Sequence, residues 1–420
     1  MKFLHAADIH LDSPLRGLDR YEGAPVEEIR NATRRALENL VALAIEEEVN
    51  FIILAGDLFD GDWPDFNTGL FFVRQMARLA ERNIAVYAVR GNHDAESKIT
   101  RKLPWPRNVH FFSSRKPESL VAEGCDAVLH GQSFASRDVK EDLAAAYPSA
   151  VPGKINIGVL HTSLDGREGH AGYAPTKLDV LRSRGYDYWA LGHVHKREIV
   201  HSDPLVVFPG NLQGRHIKET GDKGCQLVTL ESDGLHAEHR PLDVFRWAGV
   251  TVDIEGAASL DDVLVSSATL LDKALAAADG RPVAVRVRLV GRGPAHQLLA
   301  AKPETVRNQL RATAIDRGRG AMWVEGVEIA TGATVDLQAL KARNDPVGEL
   351  LGQFDAAKAG DNGLLSALEA ELQGLKQKLP AELVEAEDGV RLSDATYLGR
   401  ILGEAESQLA TRLSAVGEDA

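Results

Sequence analysis

Five apolar runs in the first 210 residues each stop at polar side chains that a buried strand does not need for packing. They read KFLHAADIH, VNFIILAGD, IAVYAVRGNHD, INIGVLHT and YDYWALGHVH. Short, nearly continuous apolar runs fit strands buried on both faces of a sheet. Between the first three lie VEEIRNATRRALENLVALAIEEE and FNTGLFFVRQMARLAERN. The former sets Ile29, Ala36, Leu40, Val41 and Leu43 at the spacing of one helix face, and the latter reads as a second helix. The alternation predicts an α/β domain with helices covering sheets. Strand ends are where such folds gather chemistry. In YDYWALGHVH the two histidines are two residues apart, so His193 and His195 project to the same side of a strand end. That suits one metal centre or two adjacent ones.

A second unit begins after Arg246. AGVTVDIEG and RPVAVRVRLVG read as strands. Between them SLDDVLVSSATLLDKALAAADG reads as a helix, with an S-x-x-D start at Ser259 and Asp262 and with Gly280 past its end. A helix over Pro303 to Ala314 and a strand at AMWVEGVEIA complete a small α+β domain. The tail from Thr334 differs. Leu365, Leu368, Leu372, Leu375 and Leu379 form a single apolar seam that ends at Pro380, and a further amphipathic helix runs from Ser393 to Val416. The expected domains are 1–243, 244–333 and 334–420.

The polar strand-end residues make chemical sense together. Asp8 and His10, Asp57, Asn92 with His93 and Asp94, His161, and His193 with His195 mix carboxylate, carboxamide and imidazole donors. That mixture suits a pair of divalent cations such as Mn, Fe or Zn, and the absence of thiolates argues against structural zinc. In this order, D-x-H, G-D, G-N-H-D, a lone H and G-H-x-H are the five motifs of the calcineurin-like metallophosphoesterases, which the chain resembles. HAADIHLDSPLRGL, YAPTKLDVLRSRGYDYWALGHVHKRE and PGNLQGRH are similar to the DNA repair exonuclease branch, the SbcD-type nucleases and among them the YhaO type. The likeness covers roughly residues 1 to 240.

The resemblance implies an α/β two-sheet sandwich flanked by helices, followed by a small α+β DNA-capping domain and a helical tail. It implies a metal-dependent DNA nuclease that hydrolyses phosphodiesters with a metal-bound hydroxide at two divalent ions, with Mn2+ expected. Asp8, His10 and His195 would hold one ion, and Asn92, His161 and His193 the other, with Asp57 bridging. His93 would face the scissile phosphate and Asp94 would orient it. Some members of the branch carry a second histidine three residues after the bridging aspartate. Here Asp60 stands there. A small nucleotide or a pyrophosphate is the alternative substrate class. The branch works with an SMC-like coiled-coil ATPase of the SbcC/YhaN type, which makes the seam from Leu365 to Leu379 and the helix around Tyr397 to Leu413 docking candidates. A homodimer is compatible with the resemblance as well.

A net charge of −13 argues at first against a nucleic-acid partner. The tail from Asp345 onward carries 15 acidic and 6 basic residues, which leaves the first 344 residues at −4. From Arg281 to Arg319 the local balance is +7. Arg286, Arg288 and Arg292 in that stretch are the candidate contacts to DNA phosphates, since Arg286 and Arg288 alternate with apolar residues and share a sheet face. Cys125 and Cys225 make no disulfide framework, and no apolar run approaches the roughly 20 residues of a membrane span. The expectation is a cytoplasmic protein without a membrane partner.

Overall fold

The computed structural model describes residues 1–13, 31–60, 66–95, 103–164, 173–333, 337–358, 371–375, 378, 391–392 and 394–416. Leu365, Leu368 and Leu379 lie outside them.

The first three apolar runs become β1 (Lys2–Ala6), β2 (Phe51–Ala55) and β3 (Ala85–Val89), linked through α1 (Ala32–Glu46) and α2 (Asn67–Ala80). A four-residue turn of helix, α3 (Asn92–Ala95), follows β3, and β4 (Val109–Phe111) comes next. The remaining strands of this region are β5 (Glu118–Val121), β6 (Ala127–Gly131), β7 (Ile155–His161), β8 (Tyr188–Gly192), β9 (Glu198–Ser202), β10 (Leu205–Phe208), β11 (Gly224–Glu231) and β12 (Gly234–Pro241). The helix α4 (Leu178–Ser183) precedes β8. Two six-stranded sheets result, ordered β12-β11-β1-β2-β3-β4 and β5-β6-β7-β8-β10-β9.

β2 shows why the runs lack an alternating pattern. All five of its residues are buried. Ile52 and Leu54 join a core with Leu37, Leu40, Phe72 and Met76 of α1 and α2. Phe51, Ile53 and Ala55 join a second core with Leu129, Ile157, Val159 and Tyr188 of the other sheet. Successive side chains thus face the helices and the facing sheet in turn. On the far side, Trp189 and Leu191 pack with Leu181 of α4 in a third core. The order of layers is helix, sheet, sheet, helix. Truncating a residue such as Ile53 to alanine should cost about 2–5 kcal/mol.

The later elements are β13 (Arg246–Asp253), α5 (Leu260–Ala277), β14 (Val283–Arg292), α6 (His296–Ala301), α7 (Pro303–Gly318) and β15 (Met322–Gly332). Their strands form a three-stranded sheet ordered β13-β14-β15. The S-x-x-D start of α5 is a capping box: the Asp262 amide donates to Ser259 Oγ at 3.2 Å, and the Ser259 amide donates back to Asp262 Oδ2 at 2.9 Å. Beyond β15 lie α8 (Leu337–Lys341), α9 (Pro346–Lys358) and α10 (Ala395–Val416).

The chain divides into two compact units. The first holds Met1–Gly249, Asp272–Arg286 and Ile315–Glu325; the second holds Val250–Leu271, Val287–Ala314 and Gly326–Ala420. The segment 244–333 is therefore shared between them. Part of the reason is Asp243 of the first unit. Its carboxylate sits 2.9 Å from Arg246 Nε and 3.0 Å from Arg281 Nε. Within the second unit, α9 packs against α10, and Leu351, Leu398 and Leu402 are buried. Lys341 lies 2.8 Å from Glu406 and 2.5 Å from Asp355. Leu398 and Leu402 of α10 are thus used within the chain. In the seam, Leu372 is half-buried and Leu375 is 50% exposed.

Candidate metal centre

Five strand ends of the first unit converge. Asp8 and His10 follow β1, Asp57 follows β2, Asn92 and His93 open α3 after β3, His161 ends β7, and His193 and His195 follow β8. Asp8, His10, Asp57, Asn92, His161 and His193 are buried, and His195 is half-buried. One ligand atom each from Asp8, His10 and His195 lies within 4.8 Å of the other two, and the same holds for Asp57, His161 and His193. Asp57 Oδ2 lies 3.8 Å from His10 Nε2 and 3.4 Å from His161 Nε2, so it stands between the two groups. Asn92 Oδ1 is 3.0 Å from His161 Nε2.

The glycines of the motifs let these ends close up. A Cβ on Gly91 would overlap Asp57 Oδ1, one on Gly56 would overlap the His161 ring, and one on Gly192 would overlap the Ala55 carbonyl oxygen. Site residues also carry backbone strain. Asp8 (φ 51°), His10 (φ 43°), Asp57 (φ 51°) and His193 (φ 99°) all lie in the region that favours glycine.

Hydrogen bonds fix which ring nitrogens face inward. His161 Nδ1 donates to the Ala55 carbonyl at 2.9 Å, and His195 Nδ1 donates to Glu219 Oε1 at 2.7 Å. In the neutral rings, Nε2 is then a lone-pair donor in both. His195 Nε2 faces His10 Nε2 at 3.2 Å, while His161 Nε2 faces the Asn92 carbonyl oxygen. Two imidazole nitrogens 3.2 Å apart, and a third against a carbonyl oxygen, all with carboxylates beside them, favour positive charge between them, carried by protons or by cations. This donor set fits a pair of divalent cations, with oxygen and nitrogen ligands and no sulfur. Protons respond to the same field. Burial works against charge on His161, yet the Asp57 and Asp8 carboxylates outweigh it and raise its pKa to about 9. Burial also opposes charge on Asp57, but His161 and His10 hold its carboxyl well below the usual range. At His10, burial dominates and lowers the pKa to about 3.

His93 is placed differently from its neighbours, with its side chain 31% exposed at the edge of the cluster. Its amide donates to Asp57 Oδ1 at 3.0 Å and its Nδ1 lies 3.1 Å from Asp60 Oδ1. Burial lowers its pKa, but the Asp60 hydrogen bond and the Asp57 charge outweigh this and raise it overall.

Asp94, expected to orient His93, does not. Its carboxylate accepts backbone N–H bonds from Leu58 (3.0 Å), Phe59 (3.0 Å) and Gly91 (3.2 Å), and so staples the turn after β2 to the turn after β3. The reason is α3: Asp94 is 1% exposed, so its side chain points into the fold. Burial and the Asp57 charge push its carboxyl up to about 7. Asp60 takes the orienting position instead, also accepting from Ser13 Oγ at 2.8 Å and lying 3.4 Å from His10 Nδ1.

Two further residues escaped the sequence reading. Glu219 is 5% exposed and accepts from His195, from Asn211 Nδ2 (2.8 Å) and from the Arg215 amide (2.6 Å). Arg215 Nη1 lies 3.8 Å from Asp60 Oδ1, and its Nη2 lies 3.4 Å from Glu219 Oε1. Arg215 lies within the PGNLQGRH stretch and Glu219 three residues past its end, and nothing in their spacing ties them to histidines 20 or more residues earlier.

Residues 1–197 match the calcineurin-like phosphoesterase family, and residues 247–332 match the family described as metallophosphoesterase YhaO, middle domain. An uncharacterized metallophosphoesterase of Bacillus subtilis (strain 168), YhaO, is 39% identical over 306 residues, 72% of this chain and 74% of that one. The chain belongs to the calcineurin-like metallophosphoesterases. More distant relatives are two proteins named DNA double-strand break repair protein Mre11. That of Methanopyrus kandleri is 24% identical over 265 residues, 56% of this chain and 55% of that one. That of Sulfurisphaera tokodaii is 27% identical over 264 residues, 60% of this chain and 65% of that one. As a metallophosphoesterase the chain is a hydrolase of phosphoesters, and its clustered ligands point to divalent metal ions. No helix among the described residues is long and apolar enough to cross a membrane.

Arg286, Arg288 and Arg292 are all on β14. Arg286 makes a two-pronged bond to Glu325, at 2.9 and 2.8 Å, and Arg288 Nε lies 3.3 Å from Glu328. Much of the expected positive face is therefore balanced by glutamates of β15.

Proposed function

We propose that the chain is a metal-dependent nuclease that hydrolyses DNA phosphodiesters, with Mn2+ as the working cation, as the catalytic subunit beside an SMC-like coiled-coil ATPase. The observation that carries the reading is the carboxylate of Asp57 between two ligand groups, with His93 at their open edge. The double-strand break repair relatives favour DNA as the substrate.

Asp8, His10 and His195 would hold one cation, and Asn92, His161 and His193 the other, with Asp57 shared. Bound cations would supply Lewis acidity to the phosphoryl oxygens and acidify an attacking water. The chain's own groups do the rest. Asp60 accepts from His93 Nδ1 and so turns Nε2 away from Asp60, where it holds a proton for the leaving oxygen. The neighbouring carboxylates favour that protonated state. Glu219 holds His195, and Ala55 holds His161, each with Nε2 inward. Leu375, exposed on the seam, is the described residue best suited to meet the ATPase.

The test is a comparison of linear duplex DNA, single strands, a small phosphodiester and a mononucleotide, using the full chain with Mn2+. Degradation of DNA is expected; turnover restricted to the mononucleotide or to pyrophosphate would overturn the reading. Leu375→Asp should abolish co-purification of the ATPase without changing hydrolysis of the small diester, and retention of the partner would remove the docking role.

A further inference from the structure

The second unit carries an open hollow of about 740 Å³, within the size range of small-molecule sites. Its walls bring together Arg292 at the end of β14, Arg307 of α7 and Arg400 of α10. Three arginines thus line one hollow. Two glutamates lie near them among the described residues. Glu328 lies in the wall but sits 3.3 Å from Arg288. Glu304 pairs with Arg307 at 2.5 Å in an exposed contact of little worth. Arg400 stacks over the Tyr397 ring, 5.1 Å from its centre. Buried His296 also lines the cavity and is fixed there by a 2.8 Å bond between Nδ1 and Thr331 Oγ1.

The arginines of the basic stretch from Arg281 to Arg319 therefore differ in their surroundings. Arg286 and Arg288 are balanced by β15 glutamates, while Arg292 and Arg307 border the cavity. Guanidinium groups recognise the planar, forked oxygens of phosphate. A lone phosphate would leave most of the volume empty, whereas a nucleoside phosphate would fill it, with its apolar and ring portions against Leu299 and Pro303.

We propose that this cavity binds a terminal phosphate monoester of mononucleotide size. The ligand is either a free nucleotide or the 5′-phosphorylated end of a strand. The inference does not depend on the hydrolytic reading of the metal centre.

The experiment uses the full chain stripped with EDTA, so that no cation at the metal centre can hold phosphate. Isothermal titration with dAMP should show saturable binding, one per chain. Arg292→Ala and Arg307→Ala should each weaken it at least tenfold. Ala300→Trp, which fills the hollow from its lining and removes no charge, should do the same. Arg286→Ala should change it less than twofold. A 5′-phosphorylated oligonucleotide that displaces dAMP, where its 5′-hydroxyl twin does not, identifies a strand end; failure of both to compete identifies the free nucleotide. Absence of saturable binding by dAMP and by the phosphorylated oligonucleotide alike, or binding that survives both arginine variants and the tryptophan plug, overturns the proposal.

Discussion

Glu219→Gln is the sharpest probe of the metal centre, because it keeps the size of the side chain while changing what its two ends can do and removing the charge that faces Arg215. The carboxylate accepts at both oxygens, from His195 Nδ1 at 2.7 Å on one and from Asn211 and the Arg215 amide on the other. A carboxamide has one accepting end and one donating end. If its NH2 faces His195, the ring must accept at Nδ1 and carry its proton on Nε2, the atom turned toward Asp8 and His10. If its NH2 faces Asn211 and Arg215, donors meet donors in a buried site, at roughly 1–3 kcal/mol. Loss of such an orienting partner typically weakens a metal site 10–100-fold, or about 1.4–2.7 kcal/mol. The proposed ligand sets give the effect a direction: the ion held through His195 should weaken by that factor and the one held through His161 should not. Titration of metal-free protein with Mn2+, followed by calorimetry and by ion content after dialysis, reads both sites. Equal weakening of the two, or no weakening of either, would refute the assignment of His195 and its orientation by Glu219.

His93→Ala should keep both ions and lower turnover of a small phosphodiester by about 10²–10⁴-fold, read from ion content alongside kinetics. Gly91→Ala should displace Asp57 and reduce bound Mn2+ with little change in far-ultraviolet circular dichroism, because the three atoms nearest its Cβ, Oδ1, Cγ and the amide nitrogen, all belong to Asp57. Burial lowers the pKa of His5 from 6.5 to about 3, in a pocket where its ring nitrogens meet Tyr188 Oη and the Leu191 carbonyl. The unfolded chain therefore takes up this proton first, and stability falls as pH drops below about 6.5. Between pH 7 and pH 5 the loss from this group is about 2 kcal/mol. Denaturant titrations of metal-free protein should show a shallower pH slope in His5→Gln than in the parent; identical slopes would remove His5 as the cause. Adding Mn2+ to a hundredfold excess over its Kd should stabilise the fold by about 2.7 kcal/mol per site, seen as a rise in melting temperature that EDTA reverses.

The layers were legible because β2 and its neighbours carry apolar residues on both faces, which only strands between two packed layers require. The ends of those strands were legible too, since Asp8, Asp57 and His193 interrupt apolar runs where packing has no use for them. What stayed hidden was side-chain direction within α3. Asn92, His93 and Asp94 are consecutive, so on a helical turn they leave at about 100° to one another, and adjacency says nothing of which carboxylate meets the His93 ring. Asp94 turns inward to the backbone, and Asp60, 33 positions earlier, meets His93. Glu219 and Arg215 were hidden for a related reason: their partners are distant in sequence, and an isolated Glu or Arg reads as surface. On β14, alternation placed Arg286 and Arg288 on one face, but β15 glutamates opposite them carry no period that reveals pairing.

Asp94 and the strained backbone belong to one argument. A non-glycine residue in the left-handed region costs roughly 1–3 kcal/mol, and Asp8, His10, Asp57 and His193 together approach the whole stability of an ordinary domain. Such turns persist only where their surroundings leave no alternative. Asp8 and His10 donate backbone bonds to Gly56 and Asp57 at 3.0 Å, and the His193 amide donates to Asp8 Oδ2 at 3.0 Å. Asp94 ties down the next turn through three backbone amides. The polar residues at the strand ends are thereby held in place before any ligand arrives, so binding energy need not be spent on assembling them. Asp94, buried against three backbone amides, thereby supports the turns that carry Asp57 and His93.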